Sequence, residues 1–289
     1  MSIAISDEMR KCLDERQEKK FAAIRKEAIY DREIRIPVRG AQIRCLEYAP
    51  RENGQKLPVI FDMHGGGFTN GYPEEDDLMC RQMCDRLQAR VFSIDYRLAP
   101  EFPYPEGQLD VYETIRYFAV HEDAFQIRAD QMITIGHSAG ANYALPSAMR
   151  ACEEHAFSLR GIILDYPPLD MVTPTKDKFY TEGCIPMELS DLFNACYCLP
   201  EQAGEPFCSP AFAPDELLRC LPPVTILPCE IDSLRDEAEQ FGLRLARLRV
   251  EVTLRRYVGL SHAFNLNYDL PASQESIDMM VRQAGKYLQ

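Results

Sequence analysis

Short apolar runs recur along the chain, separated by stretches long enough to hold a helix. They cover Leu57 to Met63, Arg90 to Ile94, Met132 to Ile135, Ile162 to Leu164, Val224 to Leu227 and Val250 to Val258. Parallel neighbours need crossover connections of helix length. The rhythm therefore predicts right-handed βαβ units and a mostly parallel sheet of about eight strands with helices on its faces. Upstream, Glu33 to Val38 and Ala41 to Leu46 alternate in period two around Arg39-Gly40, which reads as a β-hairpin. About the first thirty residues place Met9, Cys12, Leu13, Phe21, Ile24 and Ala28 at helical spacing without Gly or Pro, predicting one or two amphipathic helices. From Met171 to about Pro214 the rhythm fails. Pro174, Pro186, Pro200, Pro206, Pro210 and Pro214 are mixed there with Phe179, Tyr180, Met187, Leu192, Phe193 and Tyr197, which predicts an inserted, irregular helical cap.

Composition narrows the class. A chain of 289 residues, 46% hydrophobic and 27% charged, suits one large α/β domain, and two small domains would also fit the length. We read it as a single unit over residues 1–289, with cap elements at about 1–30 and 171–214. The formal net charge of −13 argues against nucleic acid as a partner, since phosphate-backbone binding needs clustered Lys and Arg. No long apolar segment predicts a membrane span. The start of the chain, with Asp7, Glu8, Arg10, Lys11, Asp14 and Glu15, lacks the apolar core of an export signal, so a cytoplasmic protein is expected. The eleven cysteines run from Cys12 to Cys229 without a framework, and we expect most to be reduced and buried. Cys80 with Cys84 and Cys196 with Cys198 have no further ligands at zinc-site spacing, so no metal site is expected there.

The chemistry starts at Gly136-His137-Ser138-Ala139-Gly140, which follows an apolar run and opens a helical stretch. A serine on such a tight strand-to-helix turn is a nucleophile elbow, and small flanking residues let the two backbones pass. After the run ending at Met63 comes His64-Gly65-Gly66-Gly67-Phe68, whose glycines can aim peptide N–H groups into a cavity. With the N–H of Ala139, those of Gly66 and Gly67 are expected to form an oxyanion hole. Asp232 follows the run ending at Leu227, and His262 follows the last run, giving the order serine, acid, histidine, each on a loop after a strand. His262 then serves as general base to Ser138, and Asp232 orients the imidazole. Glu230 and Asp236 compete for the acid role. His121 and His155 read as surface residues, His137 sits beside the nucleophile where its side chain diverges, and His64 reads as a brace for the glycine loop.

With these residues placed, the chain resembles the hormone-sensitive-lipase-like family of α/β-hydrolase esterases from about Leu57 to its C-terminus. Four blocks carry the resemblance: His64-Gly65-Gly66-Gly67; Tyr96-Arg97-Leu98-Ala99-Pro100-Glu101; Gly136-His137-Ser138-Ala139-Gly140; and Asp232-Ser233-Leu234-Arg235-Asp236-Glu237 with Gly259-Leu260-Ser261-His262-Ala263-Phe264. The resemblance implies an α/β-hydrolase fold, a carboxylic-ester hydrolase without cofactor, and a cap built from the N-terminal helices and the insertion before the acid. Two positions depart from the family pattern. Many relatives carry aspartate before the nucleophile and a glycine pair after it, whereas this chain has His137 and Gly140-Ala141.

The expected reaction is hydrolysis of small short- to medium-acyl esters, acetyl esters included, through an acyl-enzyme. Amide or peptide hydrolysis with the same triad, and ligand binding without turnover on a hydrolase scaffold, are the alternatives. Val250 to Tyr257 is expected at the sheet edge, where a second copy could pair to give a homodimer.

Overall fold

The computed structural model describes residues 3–23, 29–51 and 54–289. Its strands are β1 (Arg32–Val38), β2 (Ala41–Tyr48), β3 (Leu57–Met63), β4 (Arg90–Asp95), β5 (Ile127–His137), β6 (Gly161–Asp165), β7 (Val224–Leu227), β8 (Cys229–Ile231), β9 (Val252–Leu254) and β10 (Tyr257–Ser261). Eight of them form one sheet in the order β1-β2-β4-β3-β5-β6-β7-β9. The hairpin β1–β2 enters antiparallel, β2 also runs antiparallel to β4, and every later pairing is parallel.

The helices are α1 (Asp7–Ala23), α2 (Asp77–Leu87), α3 (Glu106–Val120), α4 (Glu122–Phe125), α5 (Ala139–Glu154), α6 (Met187–Tyr197), α7 (Asp215–Arg219), α8 (Arg235–Arg247) and α9 (Pro271–Tyr287). Helices α3, α5 and α8 cover one sheet face, and α2 and α9 cover the other. That double cover explains the near-continuous apolar runs, because a parallel strand must bury both sides. Along β3, Val59, Phe61 and Met63 join the core beneath α3 and α5, while Ile60 joins the core beneath α2 and α9.

The run Val250 to Val258, expected as one strand, is two. β9 closes the edge of the main sheet, and β10 pairs with β8 in a separate two-stranded parallel ribbon. Pro228 separates β7 from β8, because it has no N–H to give the ladder, and the facing segment divides at the same level. Cys152 and Cys220 are joined as a disulfide, and of the remaining described cysteines all but Cys12 are buried. No helix among the described residues is long and apolar enough to cross a membrane.

The N-terminal helix departs from the apolar face expected of it. Leu13 is buried against Leu192, Phe193 and Cys196 of α6, with Met9 packed beside it, but Cys12 and Phe21 are exposed. Ile24 and Ala28 lie outside the described residues. Most of the docking surface of α1 is polar. Asn70 Nδ2 donates to Leu13 O at 3.1 Å, Gly71 N–H donates to Gln17 Oε1 at 2.9 Å, and Lys20 pairs with Glu75. Leu13, Gln17 and Lys20 recur at helical spacing, so a single face carries all three contacts.

Candidate active site

β5 ends at His137 and α5 begins at Ala139, so Ser138 alone makes the turn between them. It holds φ 51° and ψ −121°, backbone angles that a residue with a side chain keeps only under restraint from its surroundings. The restraint is visible: Ser138 N–H donates to Asp165 O at 2.9 Å, and Ser138 O accepts from Ala141 N–H at 2.9 Å. Gly140 permits the approach of helix to sheet. A Cβ there would fall 2.1 Å from Met63 O and 2.5 Å from His64 O. Gly140→Ala is therefore expected to destabilise the fold by at least about 1–3 kcal/mol, the usual range for overpacking. Thermal unfolding of the variant reads this directly, and an unchanged melting temperature would contradict it.

The three residues expected on loops after strands are brought together. His262 Nε2 lies 2.9 Å from Ser138 Oγ, and His262 Nδ1 lies 2.7 Å from Asp232 Oδ2. Asp232 is wholly buried, and its Oδ1 accepts the Leu234 N–H at 3.1 Å ahead of α8. The competing acids are occupied elsewhere: Glu230 accepts the Gly259 N–H at 2.6 Å, and Asp236 pairs with Arg235 near the surface. Tyr166, the first residue after β6, packs its ring 4.6 Å from that of His262. Of the other histidines, His121 and His155 are exposed.

His64 braces the glycine loop. Its Nδ1 lies 2.8 Å from Gly65 O, its ring stacks on Tyr96 at 4.3 Å, and the Tyr96 hydroxyl donates to His64 O. The block from Tyr96 to Glu101 thus supports the loop from beneath, with Ala99 N–H donating to Phe68 O at 2.9 Å. Gly66, at φ 135°, accepts from Thr69 and Asn70 through its carbonyl, and a Cβ there would lie 1.8 Å from Asn70 O. The N–H groups of Gly66 and Gly67 donate to no protein acceptor among the described residues. Ala139 heads α5, so its N–H has no intrahelical acceptor either. Donors left free beside a serine hydroxyl can hold an oxyanion.

Beneath the elbow lies a buried charge cluster that motif reading does not reach. His137 Nδ1 lies 2.8 Å from Asp165 Oδ2, and its Nε2 lies 3.5 Å from Asp62 Oδ1. Asp62, Asp76 and His137 each turn one potential ligand atom to within 4.8 Å of the others; neither cysteine pair enters such a group among the described residues. Burial alone would lower the His137 pKa, but Asp76, Asp165 and Asp62 together hold it well above 6.5, which favours the imidazolium form. Burial pushes the Asp76 carboxyl well above its ordinary value. Asp165 Oδ2 also accepts from Asn265 Nδ2 at 2.6 Å, and Asn265 Oδ1 accepts from the Tyr166 hydroxyl at 2.6 Å. The loop carrying His262 and the strand carrying Ser138 are thereby tied to one ionic centre.

A cavity of ≈ 230 Å³ opens onto Ser138 and His262. Phe68, Met171, Ile185, Leu189, Phe193 and Leu266 give it apolar walls, and Arg16, Lys20, Glu75 and Lys178 add charge. An N-terminal cap helix is expected from the sequence, but Arg16 and Lys20 on α1, and Tyr166, are absent from the sequence reading. Tyr166 was within reach of the strand-end rule applied to the run at Ile162 to Leu164; Arg16 and Lys20 had no comparable signal.

A parallel sheet with a serine elbow, an acid and a histidine on loops at its carboxyl edge defines an α/β-hydrolase. A family model described as alpha/beta hydrolase fold matches residues 60–266, and the chain belongs to that family, among its hormone-sensitive-lipase-like esterases. It is 31% identical over 254 residues to the carboxylesterase NlhH of Mycobacterium tuberculosis, covering 86% of this chain and 77% of that protein. Among solved structures, a hyperthermophilic esterase from the archaeon Pyrobaculum calidifontis matches with a TM-score of 0.86 and 29% identity, over 96% of this chain and 93% of that one. A thermostable carboxylesterase cloned from a metagenomic library matches with a TM-score of 0.86 and 29% identity, over 99% and 98% respectively.

Proposed function

We propose that the protein is a serine carboxylesterase that cleaves small esters with short to medium acyl chains, acetyl esters included. The observation that carries this reading is the unbroken hydrogen-bonded chain from Ser138 through His262 to Asp232, opening into the apolar cavity. In the proposed cycle His262 Nε2 takes the Ser138 proton as Oγ bonds to the ester carbonyl carbon. The carbonyl oxygen becomes an oxyanion held by the N–H groups of Gly66, Gly67 and Ala139. Collapse breaks the bond to the alcohol, which leaves with the proton from His262. Water then attacks the acyl-enzyme, gives a proton to His262, and releases the acid as Ser138 recovers its own. Asp232 keeps Nε2 facing the serine and stabilises the imidazolium at both stages.

The cavity limits the substrate. At ≈ 230 Å³ it lies below the usual range for sites that enclose drug-sized ligands, about 300–1,000 Å³, which favours short and medium acyl chains. We read the body as a single domain over residues 1–289, with α1 and the segment around α6 as its cap. Hydrolysis of 4-nitrophenyl acetate, butyrate, octanoate and palmitate tests the reading. Turnover should be strongest for the shorter esters and collapse at palmitate, and a fluorophosphonate probe should label Ser138. Absence of both turnover and label would favour ligand binding without catalysis; cleavage of anilides at rates equal to the esters would favour an amidase.

A further inference from the structure

Three long cationic side chains line the catalytic cavity, and the protein neutralises two of them. Lys20 pairs with Glu75, and Lys178 pairs with Glu237 at 2.6 Å while donating to Asp170 O. Arg16 is different. It is half-buried, and no carboxylate among the described residues lies within ion-pair distance. Its Nε reaches Asn70 Oδ1 at 3.4 Å, its guanidinium carbon lies 5.3 Å from the centre of the Phe193 ring, and its remaining N–H groups find no protein acceptor among the described residues.

Among the described arginines that are buried or half-buried, Arg16 alone lacks a carboxylate partner, in a chain with 45 acidic residues against 32 basic ones. Arg44 is held by Glu33, Glu74 and Asp95, Arg90 by Glu47, and Arg97 by Asp110 and Glu106. Burial pushes the Arg16 pKa down, the reverse of Arg97, whose hydrogen bonds to Asp110 raise it. The cavity's own acids do not compensate. Glu75 is taken by Lys20 and by the Tyr72 N–H, and Asp76 faces the buried His137.

We infer that Arg16 is the anion-recognising residue of the substrate pocket, and that the preferred substrates are small esters bearing a carboxylate. The inference rests on the esterase reading above. A guanidinium offers a planar fork that binds a carboxylate through two parallel hydrogen bonds, and partial desolvation strengthens the pair. Position also fits. Phe193, over which Arg16 lies, presses on the oxyanion loop so closely that a Cβ on Gly67 would sit 2.4 Å from its Cδ2. A carboxylate on Arg16 is therefore one aromatic ring removed from the glycines that face the reacting carbonyl.

The test compares matched esters in two arms. The acyl arm pairs 4-nitrophenyl hemiglutarate with 4-nitrophenyl valerate; the alcohol arm pairs 3-acetoxybenzoate with phenyl acetate. In at least one arm the ratio of kcat/KM, charged over neutral, should fall about tenfold or more in Arg16→Met, the effect of losing one charge-assisted hydrogen bond. Arg16→Lys, which keeps the charge without the fork, should retain part of the ratio, and the responding arm identifies which half of the substrate carries the anion. A ratio unchanged by Arg16→Met in both arms overturns the inference while leaving the esterase intact; failure of the neutral esters to react at all overturns the esterase reading instead. On the unaltered protein, glutarate should inhibit valerate hydrolysis more strongly than glutaramide does, and added salt should relieve it. Equal inhibition by the two counts against Arg16 even if the variants do not fold.

Discussion

Replacing His262 with alanine is expected to lower kcat for 4-nitrophenyl butyrate by about 10⁴- to 10⁶-fold, with Ser138→Ala falling as far and the double variant no further. The reason lies in how the three side chains depend on one another. At neutral pH a serine hydroxyl is a poor nucleophile, and it becomes a good one only while a base stands ready at hydrogen-bond distance, as His262 Nε2 does at 2.9 Å. Without either partner the other has nothing to act on, so their contributions overlap instead of adding. What survives in each variant is the rate that free N–H donors and substrate binding supply. A double variant that falls by the product of the single losses would show that the two residues act independently and would remove the proposed mechanism.

The second large effect concerns stability. His137→Leu is expected to destabilise the fold by about 3–5 kcal/mol, because it leaves buried Asp62 and Asp165 without their counter-cation. Urea unfolding at pH 6 measures this, and a loss under about 1 kcal/mol would place the result among ordinary substitutions and refute the ionic reading. The pH dependence supplies an independent sign. The folded-state pKa of His137 lies above its unfolded value of 6.5, so folding takes up a proton there. Its contribution is complete below pH 6.5 and is lost as pH rises through the folded-state pKa, so stability should decline on the alkaline side. His137→Leu should lack that share of the decline.

Much of the candidate site was legible because each member of the proposed triad follows an apolar run. Ser138 follows β5, Asp232 comes just beyond β7 and β8, and His262 directly follows β10, so the strand-end rule found all three without knowing the sheet order. The ionic centre had a signal that went unread. Asp62 and Asp165 are charged residues set within the apolar runs of β3 and β6, where a lone carboxylate needs a partner. The polar contacts of helix α1 had none. Apolar periodicity marks Met9 and Leu13 but is blind to Gln17 and Lys20, whose contacts depend on a loop more than fifty positions away. The split of the last strand followed from Pro228, a residue outside the segment that it divides.

Part of the cavity wall comes from a different region of the polypeptide than the proposed catalytic side chains. Arg16, Lys20, Leu189 and Phe193 come from α1 and α6, whereas Ser138, Asp232 and His262 stand at the rim of the sheet. Under the proposed mechanism, exchanging Arg16 or Leu189 would redraw which molecules are admitted, whereas Phe193, packed on Gly67, would carry any change into the glycine loop as well.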